Sequence, residues 1–349
     1  MCDPVRPVLS GDPKMKSSQP GRQNAPSTLA ISIAAGALVL GAMAVANYAL
    51  GRRAERRNPA RGRFVIVDGV RLHYLEEGSG PPVVLLHGNG AMAEDFVISG
   101  VFGKLAERHR VIAFDRPGFG HSDRPRGTIW SASAQAGLIG MALDLLDVRK
   151  PIVLGHSWGT LVALEMALEN PQDTGGLVLV SGYYIPSVRM DVPLMSGPAI
   201  PILGDVMRYT ISPLLGWLLA PILFKKMFAP APVTEAFKRR FPTSMSLRPW
   251  QIRASAADTA LMIPGAAELQ DRYGDLDVPV SILGGSGDRI VDTQKQAVAL
   301  DQELRDHQLR IVEGVGHMLH HTDPDEVVDA VEGLANADPA ASRNLVPQN

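Results

Sequence analysis

Six short apolar runs punctuate the chain, at Val83–His87, Val111–Asp115, Ile152–Gly155, Leu177–Ser181, Val278–Gly284 and Leu309–Val312. None alternates apolar with polar residues, each is bounded by turn-forming residues, and helix-length segments separate most of them. A strand with one wet face alternates, whereas a strand without polar positions needs cover on both faces. The interleaving therefore predicts an α/β fold, a mostly parallel central sheet with helices on both sides. A hairpin over Phe64 to Gly78 precedes these runs, with Asp68-Gly69 supplying the positive φ angles of a two-residue turn.

One interval breaks the rhythm. Ser181 and Val278 lie too far apart for a single crossover, and the stretch between them is apolar, rich in Met and broken by prolines. It reads as an inserted helical cap over the C-terminal edge of the sheet, where open α/β sheets bind their ligands.

Three features converge on that edge. Gly155-His156-Ser157-Trp158-Gly159 ends a predicted strand and starts a predicted helix, Thr160 to Asn170, stopped by Pro171. Strand, Gly-x-Ser-x-Gly turn and helix form the context of a nucleophile elbow, with Ser157 lifted clear of the sheet. A serine hydroxyl needs a base, and the base an orienting acid. Gly284-Gly285-Ser286-Gly287-Asp288 ends one strand with an acid, with Asp292 a turn later as its rival. Val315-Gly316-His317 follows the next strand, with His320 and His321 as rivals expected on a solvated face.

The chain resembles the α/β-hydrolase superfamily from about Phe64 to about Leu334. The resemblance rests on five stretches in the family's order: His87-Gly88-Asn89-Gly90, Asp115 to Ser122 (DRPGFGHS), GHSWG, GGSGD and GHMLHHTDP. It implies an α/β-hydrolase fold with Ser157 as nucleophile, His317 as base and Asp288 as orienting acid. It also implies an oxyanion hole from the backbone N–H groups of Asn89 and Trp158. His87, Gly88, His156, Tyr183 and Tyr184 are pocket candidates, with packing as the competing role for the histidines and tyrosines. Haloalkane dehalogenases and epoxide hydrolases of the superfamily carry aspartate at the elbow, so serine argues against an alkyl-enzyme route. Proline iminopeptidases usually carry HGGPG where this chain has HGNG.

The N-terminal part has a different character. Leu29 to Leu50 is a run of 22 residues without a charge, near the roughly 20 that span a bilayer. It reads as an uncleaved anchor, with a cleaved signal peptide and a buried core helix as rivals. Arg52, Arg53, Arg56, Arg57, Arg61 and Arg63 follow it, against Lys14, Lys16 and Arg22 before it. The positive-inside rule then favours a cytoplasmic catalytic domain. The expected organisation is a disordered tail at 1–28, a transmembrane anchor at 29–50, a basic linker at 51–63, core at 64–184, helical cap at 185–265, core at 266–336 and a disordered tail at 337–349.

A formal charge of −2 gives no sign of a nucleic-acid partner. The lone Cys2 permits no internal disulfide, and no CxxC or HExxH spacing offers a metal site, so neither metal nor cofactor is expected. The resulting expectation is a serine hydrolase of carboxylic esters, acting on a small-molecule or lipid ester with a lipophilic acyl group. A cofactor-free haloperoxidase or perhydrolase, and a non-catalytic membrane-tethered binding protein, are the alternatives.

Overall fold

The computed structural model describes residues 1–4 and 27–336. Most of the N-terminal tail and all of the C-terminal tail expected to be disordered therefore lie outside the described residues. The chain divides into two units, Met1–Gly41 and Ala42–Asn349.

The second unit holds one eight-stranded sheet. Its strands are β1 (Arg63–Val67), β2 (Val70–Glu77), β3 (Pro82–Leu86), β4 (Arg110–Phe114), β5 (Ile152–His156), β6 (Gly176–Val180), β7 (Val280–Gly285) and β8 (His307–Val312). They run in the order β1-β2-β4-β3-β5-β6-β7-β8. β2 is antiparallel to both its neighbours, and every pair from β4 to β8 is parallel. The β1–β2 turn is Asp68-Gly69, at φ 47° and 75°, so its sequence and its backbone agree.

Helix α1 (Thr28–Arg57) precedes the sheet. After β3 come α2 (Glu94–Ser99) and α3 (Val101–Ala106), and after β4 comes α4 (Ala132–Leu145). α5 (Gly159–Glu169) links β5 to β6. Six helices then intervene before β7: α6 (Asp191–Ser196), α7 (Leu203–Tyr209), α8 (Ile211–Phe228), α9 (Glu235–Arg240), α10 (Thr243–Ser246) and α11 (Pro249–Gln270). α12 (Thr293–Asp301) joins β7 to β8, and α13 (Leu319–Thr322) and α14 (Pro324–Asn336) follow.

The period of two along each strand divides the core. Val84, Leu86, Ile112, Phe114, Leu177 and Leu179 point into the layer shared with α4 and α5. Val83, Leu85, Val111, Ala113, Val178 and Val180 point into the layer shared with α3 and α14. Both layers are built from apolar side chains, so the central strands β3, β5, β6 and β7 are apolar along their length except at His156, where β5 reaches its C-terminal end, and at Ser281 on β7.

Two expected boundaries shift. α1 continues to Arg57, so the first half of the expected linker is helical, and Gly51 and Ala54 are buried. The reason is packing: a Cβ on Gly51 would lie 2.9 Å from the Trp250 ring. α11 runs unbroken through residue 265, where the cap was expected to end, even though Pro264 lies inside it. α11 packs on α5, α6 and α7, so it belongs to the insertion and to the core together. α1 is long and apolar enough to cross a membrane, with mean hydropathy 2.3. The small-x-small sites at Ala42 to Ala46 lie within its continuous helix.

Candidate active site

Between β5 and α5 the backbone turns at Ser157, whose φ of 52° lies in the left-handed region. A non-glycine residue held there is strained, and such strain requires surroundings that enforce it. The flanking glycines do so by close approach. A Cβ on Gly155 would sit 2.6 Å from the Gly159 carbonyl oxygen, and one on Gly159 only 2.2 Å from that of Leu86. The Ser157 N–H donates to Val180 O at 2.8 Å, and its carbonyl accepts from Thr160 N at 3.0 Å and Thr160 Oγ1 at 2.6 Å. The turn is thus fixed on both sides, and the Ser157 side chain projects from it half-buried.

The loops after β7 and β8 bring two partners to this hydroxyl. His317 Nε2 lies 3.0 Å from Ser157 Oγ, and His317 Nδ1 lies 2.8 Å from Asp288 Oδ2. The other Asp288 oxygen accepts from Ile290 N at 2.7 Å and Val291 N at 2.9 Å. A carboxylate only accepts, so Nδ1 carries the imidazole proton and Nε2 offers a lone pair to the serine. The His317 N–H donates to Met227 O at 3.0 Å, which ties the loop to the end of α8.

The rival residues stand elsewhere. Asp292 caps α12 through Lys295 N and pairs with Lys295 Nζ at 2.9 Å. His320 and His321 do not lie on a solvated face, and this corrects the sequence expectation. Both are buried because Asp95, itself buried on α2, accepts from His320 Nε2 at 2.9 Å and from His321 Nε2 at 2.8 Å. Burial pushes the Asp95 carboxyl up, but His321 and His320 outweigh it and hold it well below the usual carboxylate range. Burial, and then neighbouring His321, push His320 down to about 4. Nothing in the local sequence announces Asp95, whose partners stand more than two hundred positions away.

The expected pocket residues prove to be interior. His87 is fully buried, with Nδ1 on Gly88 O at 2.7 Å and Nε2 accepting from Arg116 N at 3.0 Å. Burial, then Arg116, push its pKa down to about 4. His156 is buried, donates Nε2–H to the His317 carbonyl at 3.1 Å, and is held well below the usual histidine range by burial, His320 and His317. Tyr183 and Tyr184 pack within the core layer of α4 and α5. Gly88 is buried against the elbow, where a Cβ would lie 3.1 Å from the Ser157 Cβ.

Asn89 and Trp158 flank the serine, and both are tied to α11. Asn89 Nδ2 donates to Ser255 O at 3.0 Å and Thr259 Oγ1 at 2.9 Å, and Trp158 Nε1 donates to Asp258 O at 2.8 Å. Beneath them lies an ion cluster that sequence reasoning missed. Arg116 Nη1 meets Asp258 Oδ2 at 2.6 Å and Arg124 Nη1 meets Asp258 Oδ1 at 2.9 Å, with Arg116 and Asp258 fully buried. Arg116 also donates to the His87 carbonyl at 2.8 Å and the Gly88 carbonyl at 3.2 Å. Arg116 lies in the DRPGFGHS stretch, while Asp258 is one of two acids on α11, the other being Glu268, and no local pattern sets it apart.

Comparison with known proteins follows the same outline. The family described as alpha/beta hydrolase fold matches residues 81–324. An uncharacterized protein of Mycobacterium tuberculosis (strain ATCC 25618 / H37Rv) is 30% identical over 304 residues, covering 82% of this chain and 86% of its own. Haloalkane dehalogenase 2 of the same organism is 33% identical over 146 residues, 41% of this chain and 50% of its own. Among solved structures, a membrane phospholipase A described as a bacterial virulence factor superposes with a TM-score of 0.61 at 22% identity, covering 88% of this chain and 97% of its own.

Proposed function

Because the chain belongs to the alpha/beta hydrolase family, we propose that it is a serine hydrolase that cleaves carboxylic esters through an acyl-enzyme. The observation that carries this reading is the unbroken line from Asp288 Oδ2 through His317 to Ser157 Oγ, at 2.8 and 3.0 Å.

In this reading Ser157 Oγ attacks the ester carbonyl while His317 Nε2 takes its proton. Asp288 holds Nδ1–H and stabilises the imidazolium that forms. The negative charge on the carbonyl oxygen falls to the Trp158 and Asn89 N–H groups, the former at the start of α5, where the helix dipole favours an anion. His317 then protonates the leaving alcohol, and water repeats the sequence on the acyl-enzyme. Serine at the elbow distinguishes the site from that of a haloalkane dehalogenase, because the acyl-enzyme needs a hydroxyl nucleophile where an alkyl-enzyme needs a carboxylate. The apolar α1 acts as a membrane anchor, with the catalytic unit cytoplasmic, and the substrate has a lipophilic acyl chain.

The full chain in detergent should hydrolyse p-nitrophenyl esters, with turnover compared from acetate to palmitate. Replacing a triad serine typically costs on the order of 10⁶ in kcat, so Ser157→Ala should fall to background. Equal activity in folded Ser157→Ala would sink the proposal.

A further inference from the structure

The insertion carries its apolar side chains on the outside. On α8, Leu214 is 55%, Trp217 54%, Leu218 65% and Ile222 66% exposed, while Pro213, Ala220 and Phe228 make its buried contacts. Before it, Leu194 on α6 is 78% exposed and Ile202, at the start of α7, is 81% exposed. A single exposed leucine needs no explanation, but Leu214, Trp217, Leu218 and Ile222 stand at i, i+3, i+4 and i+8 on one helix, and an exposed apolar stripe of this kind marks a contact surface.

Three observations say what covers it. First, the C-terminal part of α1, a helix apolar enough to cross a bilayer, is tied to the start of α8: Asn47 Nδ2 donates to the carbonyls of Tyr209 and Thr210, both at 2.9 Å, where α7 meets α8. Second, α8 itself is not free to span. Pro213 and Ala220 are buried, a Cβ on Gly216 would lie 2.3 Å from Leu247, His317 N–H bonds to Met227 O, and Phe228 is buried against Phe237 with ring centroids 5.1 Å apart. A helix held along the domain in this way lies on a bilayer rather than crossing it. Third, α8 ends in exposed Lys225 and Lys226, which suit anionic headgroups.

We infer that the outer face of α6 to α8 is a membrane-docking surface, inserted among the lipid acyl chains. The inference rests on α1 being an anchor and is independent of the ester-hydrolase reading.

Trp217 is the natural reporter, since Trp130 and Trp158 are buried and Trp250 is half-buried against Tyr48. Full-length protein would be reconstituted into vesicles of phosphatidylcholine and phosphatidylglycerol with brominated acyl chains, beside the Trp217→Phe variant and unbrominated vesicles. Trp217 is exposed, so the variant should fold. Flotation after carbonate extraction tests the anchor, and the emission difference between the two proteins tests the face. The expected result is a floating protein whose Trp217 emission is lost to bromine and is protected from aqueous iodide. A floating protein whose Trp217 is untouched by bromine but quenched by iodide would overturn the inference. Protection from both, with Leu218→Cys in a Cys2→Ser background cross-linking between two copies, would overturn it in favour of self-association. A protein that does not float would remove the anchor on which the inference stands.

Discussion

The sheet edge and the helical insertion use opposite chemistry. At the edge, and where α11 packs beneath it, charged groups are buried and paired: Asp95 serves two histidines, and Asp258 serves two arginines. In α8, apolar groups are exposed and unmatched. The difference decides how each region answers a substitution. A buried polar network tolerates no loss of a partner, because each orphaned group keeps its full desolvation cost. An outward apolar face costs the folded domain almost nothing when altered, because its contacts are made elsewhere.

The largest effect should follow from emptying the Asp258 position. Removing one member of a buried ion cluster typically costs about 3–5 kcal/mol, and Asp258→Ala strands Arg116 and Arg124 together. Denaturant unfolding of the full chain in detergent should register that loss. Ester turnover should fall as well, because Arg116 holds the carbonyls of His87 and Gly88 beside Ser157. A change below about 1 kcal/mol would place Asp258 with ordinary surface substitutions and break the contrast.

Acid should be a perturbation of comparable size, spread over several groups. His87 and His320 are both pushed down to about 4, while in the unfolded chain each titrates near about 6.5. Between those values the unfolded chain binds more protons, so stability rises with pH. The contribution is complete above about pH 6.5 and is lost as the pH falls towards about 4, at up to roughly 3 kcal/mol for each histidine. Asp95, held below its ordinary range, loses stability in the same direction at still lower pH. The thermal midpoint should therefore fall steadily from pH 7 to pH 4, and less steeply in His320→Gln. A flat profile across that window would mean that these rings are hydrated in the folded protein.

These networks also mark where the sequence stops being legible. The central strands can be read because a run such as Val178-Leu179-Val180 needs two dry faces, a local property of the residues. The elbow can be read because Gly155 and Gly159 surround Ser157 within five positions. His320 and His321 cannot be placed from local pattern, because a histidine on a short helix is solvated or buried according to whether a carboxylate awaits it. Asp95 is 225 residues from His320, and Asp258 is 142 from Arg116. The end of the insertion escapes for a related reason: Pro264 reads as a breaker, yet α11 carries it because the helix is held along its length by the core.

The smallest effect tests the other side of the comparison. Leu218→Ser and Ile222→Ser on the outer face of α8 should change unfolding stability in detergent by no more than about 0.5 kcal/mol, the usual range for surface positions. Leu154→Ala in the fully buried β5 should cost about 2–5 kcal/mol. Loss of a large aliphatic side chain thus separates the regions by several-fold, even though the replacement on α8 is the more polar one. If the α8 substitutions cost as much as the β5 one, the outer face must be covered by protein in solution, and the contrast between a matched interior and an unmatched exterior fails. If they leave stability intact, the exposed aliphatic groups serve no folding purpose, and the face they form on a helix tied to His317 is free for a partner outside the domain.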